Sequence, residues 1–213
     1  FDVSLDNLTK AWGFYTDDPQ LPDKWIVESA LKLSGWNNIE LITNKKISKH
    51  RNVGLNFGAI AKGYAVDKAI EVLIKFGVKK ALVNAGGEIS VIGNDWVVGI
   101  QHPRETNSII KKLKLENITV ATSGDYEQYF EVDGVRYHHI LDPKTGYPST
   151  GLQSVTIINK SNTIADALAT GVFVMGKEEG MKLLESLDNA EAMIIDSNGN
   201  IFYSSGFEKY LTN

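Results

Sequence analysis

The sequence predicts an α+β fold, a mostly antiparallel sheet meander with packed helices, on three observations. Apolar residues recur at helical spacing only in separate blocks, near residues 22–34, 60–76 and 164–187. Short runs of β-branched and apolar residues lie between these blocks, divided by Gly, Asn and Asp turns. Helices and strands thus come in blocks, unlike the regular alternation of a parallel βαβ sheet. A chain of 213 residues, 43% hydrophobic, has enough apolar content for one well-packed domain or two closely joined lobes, and a single domain over 1–213 is expected.

Taken in order, residues 22–34 carry Trp25, Val27, Ala30, Leu31 and Leu33 behind Pro22-Asp23, a helix opened by proline and ended at Gly35. A stronger helical pattern runs from Ile60 to Phe76 and stops at Gly77. From Lys80 the period changes. Strands are expected at Ala81-Leu82-Val83, 89–92, 96–100, 109–115, Thr119-Val120, 129–132 and 135–141, with Asp133-Gly134 as a hairpin signal between the last two. A strand over 154–158 leads into helices at 164–175 and 177–187. A closing strand pair follows at 191–196 and 200–204, around Ser197-Asn198-Gly199-Asn200.

Bulk properties exclude several classes of function. A formal net charge of −4 offers no broad cationic field for nucleic acid or anionic lipid, so any phosphate site must be local. The absence of cysteine removes disulfides, thiolate metal sites and a cysteine nucleophile together. No apolar run approaches the roughly 20 residues that span a bilayer. The opening Phe1-Asp2-Val3-Ser4 lacks a basic n-region and an apolar h-region. Opening on Phe rather than Met is what a trimmed mature portion would show.

Four stretches could carry chemistry. Asn56-Phe57-Gly58-Ala59-Ile60-Ala61-Lys62-Gly63-Tyr64 is a glycine-bearing turn that feeds a long helix. Unpaired N–H groups, a positive dipole end and the Lys62 charge together suit a phosphate or pyrophosphate. It is not a Walker A loop, because the lysine precedes the second glycine and no Ser or Thr follows. An ordinary helix start with a solvated lysine is the plainer alternative.

In Thr163-Ile164-Ala165-Asp166-Ala167-Leu168-Ala169-Thr170, Asp166 and Thr170 stand four apart on one helix face. A carboxylate and a hydroxyl converging there are hard oxygen ligands of the kind magnesium accepts. The alternative is structural, with Thr163-x-x-Asp166 as a variant capping box and Thr170 bonding back to a carbonyl. In 137–148, strand alternation sends His138 and His139 to opposite faces, and His139, nearer the turn, is the candidate catalytic group. Asp142-Pro143-x-x-Gly146 is turn chemistry. Ala121-Thr122-Ser123-Gly124-Asp125 sets hydroxyls and a carboxylate at a strand joint, suited either to a polar ring such as a flavin edge or to a satisfied turn. Asn84-Ala85-Gly86-Gly87-Glu88 is a tight Gly-Gly connection first and a close approach to a ligand second.

The order of these segments carries more than any one of them. Phe1-Asp2-Val3-Ser4 with Trp12-Gly13-Phe14, 58–67, Asn84-Ala85-Gly86-Gly87, 122–126, His139-Ile140-Leu141-Asp142-Pro143-Lys144-Thr145-Gly146 and 165–170 together resemble the FAD:protein FMN transferase, or ApbE, family, also called thiamine-biosynthesis lipoproteins. The likeness covers nearly all of 1–205. It implies an ApbE-like, T-fold-related architecture and a magnesium-dependent transfer of FMN from FAD to a Thr or Ser hydroxyl of a target flavoprotein, with AMP released.

Carried to matching positions, the resemblance implies Mg2+ held by Asp166, Thr170 and the Ala59 carbonyl. It implies FAD contacts at Phe1, Asp2, Asn56, Lys62, Ser123, Asp125 and His139, with His139, Lys62 and Asp166 catalytic. It further implies an acceptor flavoprotein subunit as partner and a periplasmic or extracytoplasmic place in a bacterial envelope, lipid-anchored in the full-length form. The chain departs from the pattern in starting well inside the usual family length and in having Asn56 where an aspartate is usual. An FAD pyrophosphatase giving FMN and AMP, and a non-catalytic FAD-binding protein, are the alternatives.

Overall fold

A computed structural model describes residues 1–212. Along the chain run α1 (Asp6–Ala11), α2 (Lys24–Leu31), β1 (Ile39–Thr43), β2 (Lys46–Lys49), α3 (Ala61–Lys75), β3 (Ala81–Ala85), β4 (Glu88–Ile92), β5 (Trp96–Gln101), β6 (Ile109–Leu115), β7 (Thr119–Gly124), β8 (Tyr129–Val132), β9 (Val135–His138), β10 (Leu152–Asn159), α4 (Asn162–Met175), α5 (Lys177–Glu185), β11 (Glu191–Asp196), β12 (Ile201–Tyr203) and β13 (Leu211–Thr212). Two compact units share these elements. The first is Phe1–Phe57 with Glu127–Ser149, and the second is Gly58–Tyr126 with Thr150–Asn213.

The first unit is organised by aromatic rings. Trp12 is fully buried, its ring 5.6 Å from Tyr137 and 5.5 Å from Tyr147, while Phe130 stacks on Tyr137 at 5.4 Å. Such offset and edge-on pairs add to the area they bury. The indole N–H of Trp12 donates to the Gly146 carbonyl at 2.8 Å, so the buried donor is satisfied. Gly146 has φ 76, and a Cβ there would lie 2.8 Å from Val27 Cγ1, so the turn requires glycine. β8 and β9 form the hairpin that Asp133-Gly134 signals, with φ 51 and 77 at those two residues. The expected strand over 135–141 ends at His138, because Ile140 turns away to accept from Ser149 N. α1 and the β1–β2 hairpin were not predicted. α1 has only six residues, too few to establish a period, and β1 and β2 are exposed at almost every position and show no alternation.

The second unit holds a six-stranded antiparallel sheet in the order β12-β11-β10-β7-β4-β3 and a three-stranded sheet in the order β13-β6-β5. The strands expected between 81 and 141 are thus shared among three sheets, since β8–β9 stands apart. Val91, Val98, Ile100, Leu113, Leu115, Val120, Ile158, Met193, Ile195 and Phe207 form one core between the elements of the two larger sheets. β10 is buried at all eight positions, as a central strand covered on both faces must be. Ala165, Ala169, Val172 and Phe173 make the fully buried stripe of α4, which packs on β7 and β10. The small alanines bring the helix backbone close to the sheet and fix where its polar residues emerge. Among the described residues, no helix is long and apolar enough to cross a membrane.

Candidate functional site

In the second unit, α3 and α4 meet at their N-terminal turns, and each supplies a carboxylate to the other. The N-cap of α3, Ile60, makes no side-chain cap bond. The first-turn N–H of Gly63 instead donates to Asp166 Oδ2 of α4 at 2.9 Å, satisfying one of the donors a helix start leaves open. In return, Asp67 of α3 accepts from Asn162 N at 2.7 Å, Thr163 N at 2.9 Å, Thr163 Oγ1 at 2.6 Å and Ser161 Oγ at 2.7 Å. Gly63 permits the close approach. A Cβ there would collide with the Asn162 carbonyl oxygen and lie 2.8 Å from Asp166 Cβ.

Both structural alternatives for the α4 segment fail. The N-cap is Ser161, whose hydroxyl accepts from Ile164 N, so Thr163 lies inside the helix and forms no capping box with Asp166. Thr170 Oγ1 lies 3.0 Å from Ser123 Oγ across on β7, a hydroxyl pair one turn beyond Asp166. That contact puts Ser123, which stands opposite Val155, on the α4 side of the sheet.

Lys62 is half exposed, and its Nζ lies 2.8 Å from Glu88 Oε2 on β4, a carboxylate that is almost wholly buried. Asp166 is 4% exposed. Burial pushes the Asp166 carboxyl above its ordinary value, and the Gly63 N–H and the Lys62 charge offset this only in part. Glu88 is likewise raised by burial and further by the Asp166 charge, against the pull of Lys62. For Asp67 burial acts in the same upward direction, yet its hydrogen bonds outweigh it and hold the carboxyl below its ordinary value. Asn162, fully buried, donates to the Ile89 carbonyl and to Ser90 Oγ, while its own Oδ1 has no hydrogen-bond partner among the described residues.

The residues fit a hard divalent cation. Asp166 and Thr170 provide a carboxylate and a hydroxyl one helical turn apart, and the turn before α3 carries the Ala59 carbonyl. The Gly63 N–H takes Asp166 Oδ2, and a cation would draw on Oδ1. Two buried carboxylates face a single lysine, so the local balance favours added positive charge. Among the described residues no three His, Cys, Asp or Glu side chains cluster as a metal cage. Magnesium needs no such cage, because one or two carboxylates with water and substrate phosphates complete its shell.

The other sequence-predicted residues fall as follows. Asp125 is buried and bidentate with Arg104, at 2.7 Å on both oxygens. That pairing fixes its carboxylate and makes it a wall of the second unit. In the first unit, Asp2 Oδ1 accepts from Ser4 N at 2.8 Å and Ser4 Oγ at 2.7 Å, and Asn56 N donates to the Val3 carbonyl at 2.7 Å. The start of the chain is thereby tied down and Phe1 is half-buried. His138 is buried, with Nε2 2.8 Å from the Ser149 carbonyl and Nδ1 accepting from Ile140 N. With Nδ1 as acceptor, Nε2 is the donor to Ser149, and these bonds give His138 a structural role. His139 is half-buried, with Nδ1 3.2 Å from the Gln128 carbonyl. Sequence reasoning missed Glu88 and Asp67. The only trace of Glu88 was its place after Gly86-Gly87, and nothing marked Asp67 as the partner of a helix start far along the chain.

Comparison with known proteins identifies the family. The ApbE family model matches residues 1–194. The chain is 34% identical over 96% of its length to the FAD:protein FMN transferase of Klebsiella pneumoniae and 33% identical over 97% to that of Treponema pallidum. It spans about two thirds of the length of these relatives, 66% and 63%. An ApbE protein from Thermotoga maritima superposes with a TM-score of 0.91 at 39% identity, covering all of this chain and 72% of the other. The flavin transferase ApbE from Vibrio cholerae does so at 0.86 and 32%, covering 99% and 70%.

Proposed function

The chain belongs to the ApbE family, and on that premise we propose that it transfers FMN from FAD to a Thr or Ser hydroxyl of an acceptor flavoprotein, in a magnesium-dependent reaction that releases AMP. One observation carries the proposal: a buried carboxylate, Asp166, caps a helix start beside a lysine and a hydroxyl pair, which suits a cation and a diphosphate at one place. The acceptor oxygen attacks the FMN-side phosphorus, a new P–O bond forms, and the bridging P–O bond breaks to release AMP. Phosphoryl transfer relies on positioning and charge neutralisation more than on covalent chemistry by the protein.

In this scheme Asp166, Thr170 and the Ala59 carbonyl hold magnesium, which when bound neutralises pyrophosphate oxygens and the charge on the leaving group. Lys62 and the first-turn N–H groups of α3 other than that of Gly63 bind the diphosphate. Ser123 and Asp125 line the flavin side, with Arg104 fixing Asp125. Phe1, Asp2, Asn56 and His139 are proposed FAD contacts of the first unit, and His139 is the proposed acceptor of the hydroxyl proton. The proposal extends to a periplasmic or extracytoplasmic location with lipid anchoring of the full-length form, supported by family resemblance alone.

The test is incubation of the protein with FAD and magnesium, with and without an acceptor flavoprotein bearing an exposed Thr or Ser target motif, reading AMP release and acceptor mass. A mass gain of one FMN moiety, lost in Asp166→Ala, is expected. AMP without a mass gain would make the chain an FAD pyrophosphatase, and FAD binding with neither would make it a binding protein.

A further inference from the structure

Resting on that proposed function, we infer that Glu88 is a charge gate that makes FAD binding conditional on prior metal binding. Two buried carboxylates, Asp166 and Glu88, lie near one ammonium, Lys62, which is paired with Glu88 and reaches Asp166 only through space, so with both ionised one negative charge is left at the place a diphosphate must enter. The first turn of α3 adds only a partial positive charge, and the Gly63 N–H is already spent on Asp166. The buried Asn162 Oδ1 between α4 and β4, with no hydrogen-bond partner among the described residues, adds a negative dipole end.

Glu88 also engages the one cation a phosphate would seek. Lys62 Nζ sits 2.8 Å from a carboxylate oxygen that is walled off from solvent, while the lysine itself remains half exposed. A polyanion approaching the metal-free site meets Lys62 already paired and a net like charge behind it. A divalent cation reverses that sign, and Lys62 can then serve the carboxylate and a phosphate oxygen with different N–H donors. Glu88 therefore favours the order metal first, FAD second. It is a positioning and gating residue and touches no reacting atom.

The gate has a signature of opposite signs. Glu88→Gln keeps the shape of the side chain and removes its charge. Magnesium affinity, measured calorimetrically without FAD, should fall, while metal-free FAD affinity, measured by flavin fluorescence in EDTA, should rise, each on the order of tenfold for a unit charge at this range. The enhancement of FAD binding by magnesium should shrink to match. Glu88→Asp, which retains the charge, should restore wild-type behaviour in part.

A collapsed site would weaken both ligands together, so a fall in both affinities overturns the gate. No change in either, or equal FAD affinity of the wild type with and without magnesium, also overturns it while leaving FAD as the substrate. Wild-type protein that binds FAD under neither condition would instead overturn the transferase proposal itself.

Discussion

The first turns of α3 and α4 are each capped by a carboxylate from the other helix, yet the two carboxylates differ in kind. Asp67 accepts four hydrogen bonds from the start of α4, and its carboxyl is held below its ordinary value. Asp166 accepts one from the start of α3, is more deeply buried, and is pushed above its ordinary value. Their shared placement at a helix start makes the contrast informative. The saturated carboxylate is a clamp, and the under-served one is the proposed metal ligand. On the proposed function, stability and metal binding are divided between two aspartates of one helix pair.

The contrast breaks most sharply at Asp166. Asp166→Asn preserves an acceptor for the Gly63 N–H but removes the charge, so metal-free thermal stability should be equal to or above wild type. Magnesium binding and any FMN transfer should fall by about 100-fold or more, since loss of an outer-shell partner alone costs 10- to 100-fold. A variant that unfolds instead would make Asp166 a clamp like Asp67 and erase the distinction.

Gly63→Ala tests the geometry that brings the two turns together. Its new methyl has no room against the Asn162 carbonyl oxygen and Asp166 Cβ, and over-packing of this kind costs about 1–3 kcal/mol. Denaturant unfolding should show that loss, with a parallel loss of magnesium affinity as α4 is pushed off α3. Unchanged affinity in a destabilised variant would separate the helix contact from the site.

The candidate residues of this site were legible in the sequence but the pairing of the two helix starts was not, and the reason is physical. Asp166 and Thr170 could be placed on one face because helical spacing is local, and Lys62 at a helix start because Gly58 and the apolar period of 60–76 mark it. The Asp133-Gly134 hairpin was readable for the same reason. The cap by Asp67 joins residues about a hundred positions apart, and no local pattern encodes it. Glu88 gave the signal of a turn residue, since only the fold buries it beside Lys62. The division of strands among several sheets was hidden because β5–β6 and β8–β9 carry the same alternation as strands of the main sheet. Strand alternation was the ground for separating His138 from His139, but β9 ends at His138, and what singles out His138 in the structure is its buried hydrogen bonds.

A smaller effect is expected at Asp67 itself. Asp67→Asn keeps one acceptor oxygen but places an amide donor against Ser161, Thr163 and the N–H groups of α4. The expected loss is about 1–2 kcal/mol, the range for a helix N-terminal cap. FAD and magnesium affinities should change less than stability does.

The pH dependence of that loss is the finest test, because the two aspartates should approach it from opposite sides. Asp67 has a folded carboxyl pKa below its unfolded value, so its stabilisation is complete above the ordinary carboxylate range and is lost as pH falls through the folded value. The deficit of Asp67→Asn relative to wild type should therefore shrink on acidification. Asp166 has a folded value above its unfolded one, so its charge opposes folding at neutral pH and protonation relieves it as pH falls. Any advantage of Asp166→Asn over wild type should then fade at higher pH than the Asp67 deficit does, between its raised folded value and the ordinary carboxylate value, with the sign reversed. Melting temperatures in EDTA from pH 7 down to about pH 3, bracketing the ordinary carboxylate value, would record both. Two differences that converge on zero from opposite sides would establish that one carboxylate stabilises the helix pair and the other burdens it until a cation arrives, whereas parallel, pH-independent differences would mean that both act only through packing.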